Sequence, residues 1–169
     1  MLQARADWQW QEQQGQLALK GTGICHLTPF PIKQGWHAAF TIDDVEQFEF
    51  FQQCLAEYFQ DQASITAAAV DALAGTKQQW PACRGFWFDY LHAGQVAVGQ
   101  VMQLCGQLPA SVLVIGCNDV NALVLLLHPM TTLQGKPLSH GQLVQVPFNR
   151  LRPLILQQST QNTGFRQTA

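Results

Sequence analysis

Residues 111–128 read SVLVIGCNDVNALVLLLH. Two apolar runs, 111–117 and 122–128, flank Asn118-Asp119-Val120-Asn121. Each run falls well short of the roughly 20 residues that span a bilayer. Asn and Asp between them are turn chemistry. Short runs rich in Val, Ile and Leu, bounded by such a turn, read as paired strands. The stretch therefore predicts a β-hairpin in a globular fold and no membrane segment.

Working outward, the same texture holds on both sides. Residues 86–91, 95–104 and 141–146 are also strand-like, punctuated by Gly94, Gly106 with Pro109, and Gly135-Lys136-Pro137. Short strands at such spacing predict a small twisted antiparallel barrel-like domain over residues 85–157. The segment GQLVQVPFNRLRP, 141–153, reads as its closing strand. Leu151 is expected to plug the core, Arg150 to brace the fold through loop carbonyls or a carboxylate (Asp89 or Asp119), and Arg152 to point outward as a contact. Residues 158–169 are polar and read as a frayed tail.

Residues 1–84 have a different pattern. Trp8 and Trp10 lie two apart, as do Leu17 and Leu19, with Gln14-Gly15 between them as a hairpin turn. Gly21-Thr22-Gly23 is a second turn before residues 24–27, and residues 37–42 are another short extended piece. Asp43-Asp44 opens a helix, and Asp43 with Glu46 has capping-box spacing. Phe48, Phe51, Leu55, Tyr58 and Phe59 follow at helical steps, with Phe50 off the stripe. A second helix starts after Asp61 or Ser64, carries Ile65, Ala69, Ala72 and Leu73, and ends by Gly75 and Pro81. The fold class expected is α+β: an N-terminal α/β domain with short antiparallel strands and two helices, then the β-barrel-like domain.

Composition bounds the function. Of 169 residues, 47% are hydrophobic and 12% charged, so solubility rests on uncharged polar groups, glutamine above all. Residues 1–84 carry nine acidic and five basic side chains, or −4; residues 85–169 carry two and four, or +2, giving the net −2. That density of basic residues is too low for a nucleic-acid binder. The mild asymmetry suits a protein partner with an acidic face. Five widely spaced cysteines without a C-x-x-C read as reduced thiols, and residues 1–10 lack an apolar signal core. A soluble cytoplasmic protein is expected.

No constellation suggests catalysis. Asp43-Asp44 is explained by a helix start. Cys25 and His26 would point to opposite strand faces. His92, His128 and His140 show no metal-ligand spacing. Ser139 lacks a nucleophile elbow, and Gly21-Thr22-Gly23 lacks the strand–helix context of a phosphate loop. No enzyme activity, cofactor or metal is expected. Trp80, Arg84, Phe86 and Trp87 cluster between the two textures. They are either interface anchors or a seal where two domains meet.

The order of motifs resembles the ZapC family of bacterial division proteins. The resemblance runs from about Asp7 to Pro153. It includes Asp7-Trp8-x-Trp10, Leu17-x-Leu19, Phe40-x-x-Asp43-Asp44 before an aromatic helix, and Ala72-Leu73. It is strongest in Leu113-Val114, Leu123-x-Leu125-Leu126-x-x-Pro129, Gly135-Lys136, Gly141 and Arg150-Leu151-Arg152-Pro153. It implies a monomeric, cytoplasmic, non-enzymatic protein of the midcell division ring. Such a protein binds FtsZ, promotes lateral bundling of its filaments and reduces its GTPase turnover. No nucleic acid or membrane is implied. The FtsZ-binding positions implied or expected are Leu17, Leu19, Lys77, Trp80, Arg84 and Arg152. Trp80 stands where the family pattern has lysine, which shifts the expected contact toward aromatic burial. The alternative is a small-ligand-binding barrel or cryptic enzyme with a pocket at the domain junction near Trp80 and Trp87.

Overall fold

The computed structural model describes residues 1–91 and 94–154. His92, Arg166 and the tail expected at 158–169 lie outside the described residues.

The chain begins with an antiparallel meander of β1 (Gln9–Gln13), β2 (Gln16–Gly21) and β3 (Ile24–Pro31). β4 (His37–Ala39) then pairs with β1, giving the order β3-β2-β1-β4. Gln14 and Gly15 both have positive φ, 55° and 78°. This is the type I′ turn that matches strand twist, and it sets Gln13 opposite Gln16. The second turn is tied by Asp7, whose carboxylate accepts from the Thr22 N–H at 2.6 Å and its hydroxyl at 2.7 Å. Trp8 and Trp10 are both buried against the helices.

Helix α1 (Ile42–Ala56) does start where the acidic pair lies, but its cap is two residues earlier than expected. Thr41 is the N-cap and Asp44 the third helical residue, and each side chain bonds the other's backbone N–H. The expected Asp43/Glu46 box is therefore replaced by Thr41/Asp44, which has the same spacing and a threonine hydroxyl as the cap. Phe48, Phe51 and Leu55 face inward and Phe50 does not. Asp61 caps α2 (Gln62–Thr76), whose residues 68–75 are all buried.

That burial follows from what surrounds α2. A second antiparallel sheet is built from β5 (Val101–Cys105), β6 (Pro109–Cys117), β7 (Asn121–Leu126), β10 (Leu143–Pro147) and β11 (Arg152–Pro153), in the order β10-β7-β6-β5-β11. β8 (Met130–Thr131) and β9 (Pro137–Leu138) form a separate short ladder. Leu113, Ile115, Leu123 and Leu125 point from this sheet into a core shared with α1, α2 and the first sheet. Val112, Val114, Val124, Leu126, Val144 and Val146 point the other way, into a second core with Phe88, Leu138 and Leu151. Both faces are covered, so residues 111–128 need no polar alternation. A Cβ on Gly75 would lie 2.8 Å from the Ile115 side chain, so only glycine lets α2 approach this closely. Ile115 is the extra residue of a β-bulge between Val114 and Gly116.

The architecture of the described residues is thus α+β, with two larger antiparallel sheets and a two-stranded ladder. Among the described residues the second sheet is not a closed barrel: β10 and β11 occupy opposite edges and do not pair. Leu151 is a buried plug and Arg150 donates to a loop carbonyl, that of Phe88, at 3.3 Å. The stretch 141–153 is therefore not one closing strand but two edge strands joined by a 3-10 turn (Phe148–Arg150). Pro147 and Arg152 are five residues apart, a reach of at most about 17 Å. Opposite edges of a flat five-stranded sheet lie about 19 Å apart. The sheet must curl for the chain to make that crossing.

Residues 84–91 lie across the open side. A regular strand expected at 86–91 is instead a 3-10 turn (Gly85–Trp87) followed by extended chain. Its backbone bonds run to both edges of the curl: Arg84 N to Gln145 O at 2.9 Å, Asp89 N to Cys105 O at 2.8 Å, and Leu91 N to Asn149 O at 2.6 Å. No single neighbour supplies a ladder, so no strand forms. The side chains still alternate, with Phe88 buried between exposed Phe86 and Tyr90.

Candidate partner-binding surface

The lacing segment creates the most exposed aromatic surface on the second sheet. Phe86 is 59% and Tyr90 61% exposed. The turn that carries Phe86 and Trp87 is fastened to residues 132–136. Leu133 N–H donates to the Trp87 carbonyl at 2.9 Å, and the Gln134 side-chain amide donates to the Phe86 carbonyl at 2.9 Å. Leu133 adds a further exposed apolar side chain beside them.

Cations frame these rings. The Lys136 ammonium lies 4.5 Å and the Arg84 guanidinium 5.4 Å from the Trp87 ring centre, and Arg150 lies 5.6 Å from that of Tyr90. Gly85 joins the two groups: a Cβ there would sit 3.0 Å from Pro147 and 3.4 Å from Arg150 Nε. That Nε is buried and has no hydrogen-bond partner. Among the described residues the ion pairs are His26–Asp71 and Lys77–Asp44, both within residues 1–84. Arg84, Lys136, Arg150 and Arg152 therefore hold positive charge with no carboxylate in contact among the described residues. Ring-held cations beside exposed aromatics are groups that a partner's carboxylates and apolar side chains can engage with little further ordering.

The six expected contact positions fall in different places. Arg84 belongs to the patch. Arg152 is exposed on β11, and its Nε donates to Gln103 at 2.5 Å, across the β5 edge. Trp80 lies over the bulge, where a Cβ on Gly116 would come within 2.8 Å of its ring. It is also 38% exposed, so it covers the bulge and still presents ring surface. Leu17 and Leu19 need correction as contacts: they are 2% and 0% exposed, part of the first core on the helix-facing side of β2, and present no side-chain surface. Lys77 is likewise engaged internally. Its ammonium bonds Asp44 at 2.5 Å and lies 5.8 Å from the Trp10 ring centre. Burial pushes the Asp44 carboxyl up, but Lys77, the Thr41 N–H and the Trp10 N–H outweigh it and hold the group below the usual carboxylate range. Lys136, Tyr90 and Arg150 were not expected as contacts. The one signal for them was the scarcity of acidic residues in their half, which has two.

Two clefts lie elsewhere. The larger, about 470 Å³, separates α1 from β5 and β11 and is lined by Phe50, Cys54, Glu57, Tyr58, Val101 and Leu154, among others. The second, about 380 Å³, lies at the junction of the halves, between the end of β3, the residues after α2 and the loop before β10. Pro81 lines it, but neither Trp80 nor Trp87 does. The Cys54 thiol is pushed up by burial and then by Glu57, and the Cys117 thiol by burial, which is the reverse of nucleophile activation. Among the described residues no group of three or more His, Cys, Asp or Glu side chains could hold a metal ion, and no helix is long and apolar enough to cross a membrane.

No known family model and no curated protein matches this chain.

Proposed function

We propose that this chain is a cytoplasmic, non-enzymatic division factor that binds FtsZ at the midcell ring, favours lateral association of its filaments and slows its GTPase turnover. The observation that carries the reading is the patch of Phe86, Trp87 and Tyr90 framed by Arg84, Lys136 and Arg150, with no carboxylate in contact among the described residues. Further support comes from the ordered resemblance over 7–153, strongest in the half that carries the patch. An acidic filament face supplies the missing carboxylates, and the exposed rings supply apolar burial at the centre of contact. A monomer that touches two filaments, or braces the side of one, raises avidity without chemistry. Because Arg84 and Lys136 are exposed, salt must weaken the contact.

The test is co-sedimentation with polymerised FtsZ. The chain is expected in the pellet at low salt and largely in the supernatant at high salt. No co-pelleting at low salt removes this reading. A second reading, a small-ligand-binding protein, is favoured by the junction cleft, whose apolar floor of Phe30 and Leu143 meets Gln78, Gln142 and His140. Native mass spectrometry of the purified chain, showing a retained small molecule that His140→Ala releases, would favour it.

A further inference from the structure

Helix α1 turns Phe48, Phe51 and Leu55 into the core and leaves its outward side exposed. That side carries Asp43, Glu46, Glu49, Phe50 and Gln53, three or four residues apart, with Glu57 at the C-cap. Residues 42–56 contain no basic side chain, and none of these four carboxylates is ion-paired among the described residues. Asp43 with Glu46, and Glu46 with Glu49, set like charges three apart, which repel. Glu57 stands at the end where the helix dipole is already negative. The aromatic patch is the opposite case: Arg84 and Lys136 sit over Trp87 beside exposed Phe86, with no carboxylate in contact among the described residues. Each surface holds the charge that the other lacks, and each has an exposed phenyl ring among its charges.

We propose that the outward face of α1 docks onto the aromatic–cation patch of a second copy of this chain. Glu46 and Glu49 meet Arg84 and Lys136, and Phe50 meets Phe86. Within one copy the two surfaces cannot meet. α1 packs on the first core and the patch segment on the second, with the sheet of β5, β6 and β7 between them. The contact is therefore heterologous and head-to-tail, leaving a free patch at one end and a free α1 at the other. A 15-residue helix is about 22 Å long and about 10 Å wide, so its face offers about 220 Å². That is well below the roughly 800 Å² per partner of a stable interface, so the chain is monomeric when dilute, with a dissociation constant of about 0.1 mM or weaker. The same patch then cannot hold α1 and FtsZ together. That consequence alone rests on the function proposed above; the contact itself is read without FtsZ.

The test is self-association of the purified full chain. In sedimentation velocity at low salt, the mean sedimentation coefficient should rise over about 0.02–1 mM, and the rise should vanish at high salt. A flat profile at low salt overturns the proposal. In wild-type NMR spectra over the same range, the backbone amides of Glu46, Glu49 and Gln53 and the Trp87 indole N–H should shift together. Concentration-dependent shifts confined to other residues overturn it in favour of a different surface. Arg84→Glu with Lys136→Glu, and separately Glu46→Lys with Glu49→Lys, should each stay monomeric. An equimolar mixture of the two should associate again, because the unchanged patch of the second variant meets the unchanged α1 of the first. Association undiminished in either variant, or a mixture of folded variants that stays monomeric, also overturns it. If circular dichroism shows either variant unfolded, the wild-type shifts decide alone.

Discussion

Replacing Lys77 with alanine distinguishes a surface contact from a structural brace. In the wild type its ammonium bonds Asp44, whose side chain is 3% exposed, while Lys77's own is 37% exposed. Without it the carboxylate keeps only the Trp10 and Thr41 N–H groups. Removing one partner of a fully buried pair costs about 3–5 kcal/mol. The lysine end is more than a third exposed and screened, and two bonds survive, so about 2 kcal/mol is expected. At about 2–4 °C per kcal/mol for a chain of this size, Tm falls by about 4–8 °C. The sign with pH follows from the depressed Asp44 carboxyl. A carboxyl held below its unfolded value of about 3.9 contributes stability that is complete above that value and lost as pH falls through the lower folded value. In Lys77→Ala, burial dominates and Asp44 takes up a proton more readily. The deficit is therefore largest near neutrality and shrinks toward pH 3. Thermal melts by circular dichroism at both pH values read this. An unchanged Tm at pH 7 would refute the brace. Unchanged Tm together with lost FtsZ co-pelleting would return Lys77 to the partner surface. Lys77→Met with Asp44→Asn, which removes both charges, should recover much of the loss.

Three further outcomes are expected. Leu17→Ala removes a core side chain and should cost about 3 kcal/mol, seen in chemical denaturation; a loss under 1 kcal/mol would mean the side chain is not in the core. Gly75→Ala forces a methyl toward Ile115 and Leu143. The overpacking cost of about 1–3 kcal/mol exceeds the roughly 1 kcal/mol gained in helix propensity, so a more stable variant would disprove the tight approach of α2. Arg84→Glu with Lys136→Glu should abolish co-pelleting with FtsZ while Tm moves by less than about 3 °C, since neither residue is ion-paired among the described residues; retained binding would exclude the patch.

How much was legible in the sequence depended on whether local chemistry sufficed. The Gln14-Gly15 turn, the Asp61 cap and the hairpin at 118–121 are set by residues within a few positions of one another, and all are found. The α1 cap lies two residues before the expected one because Thr41/Asp44 and Asp43/Glu46 have identical spacing, and only the backbone geometry separates them. Alternation at 86, 88 and 90 was visible, but alternation reports which way side chains point and not which strand supplies the backbone bonds. Leucine at 17 and 19 looks the same whether it meets the core or a partner, and burial decides for the core. Lys136 and Arg150 stand 49 and 63 positions after Trp87 in the sequence, so no local pattern could bring the patch together.

The two edge strands at 143–153 also govern the order in which the second sheet can form. β5, β6 and β7 are consecutive hairpins and can pair as soon as each is made. Both outer strands arrive later, together and last. Until about residue 153 is available, a nascent chain presents a three-stranded sheet with both edges open and one apolar face uncovered. Such an intermediate is slow to resolve and prone to pair with other chains. A chain truncated between 127 and 147 should therefore go to chaperones or aggregates, because one or both outer strands are then missing.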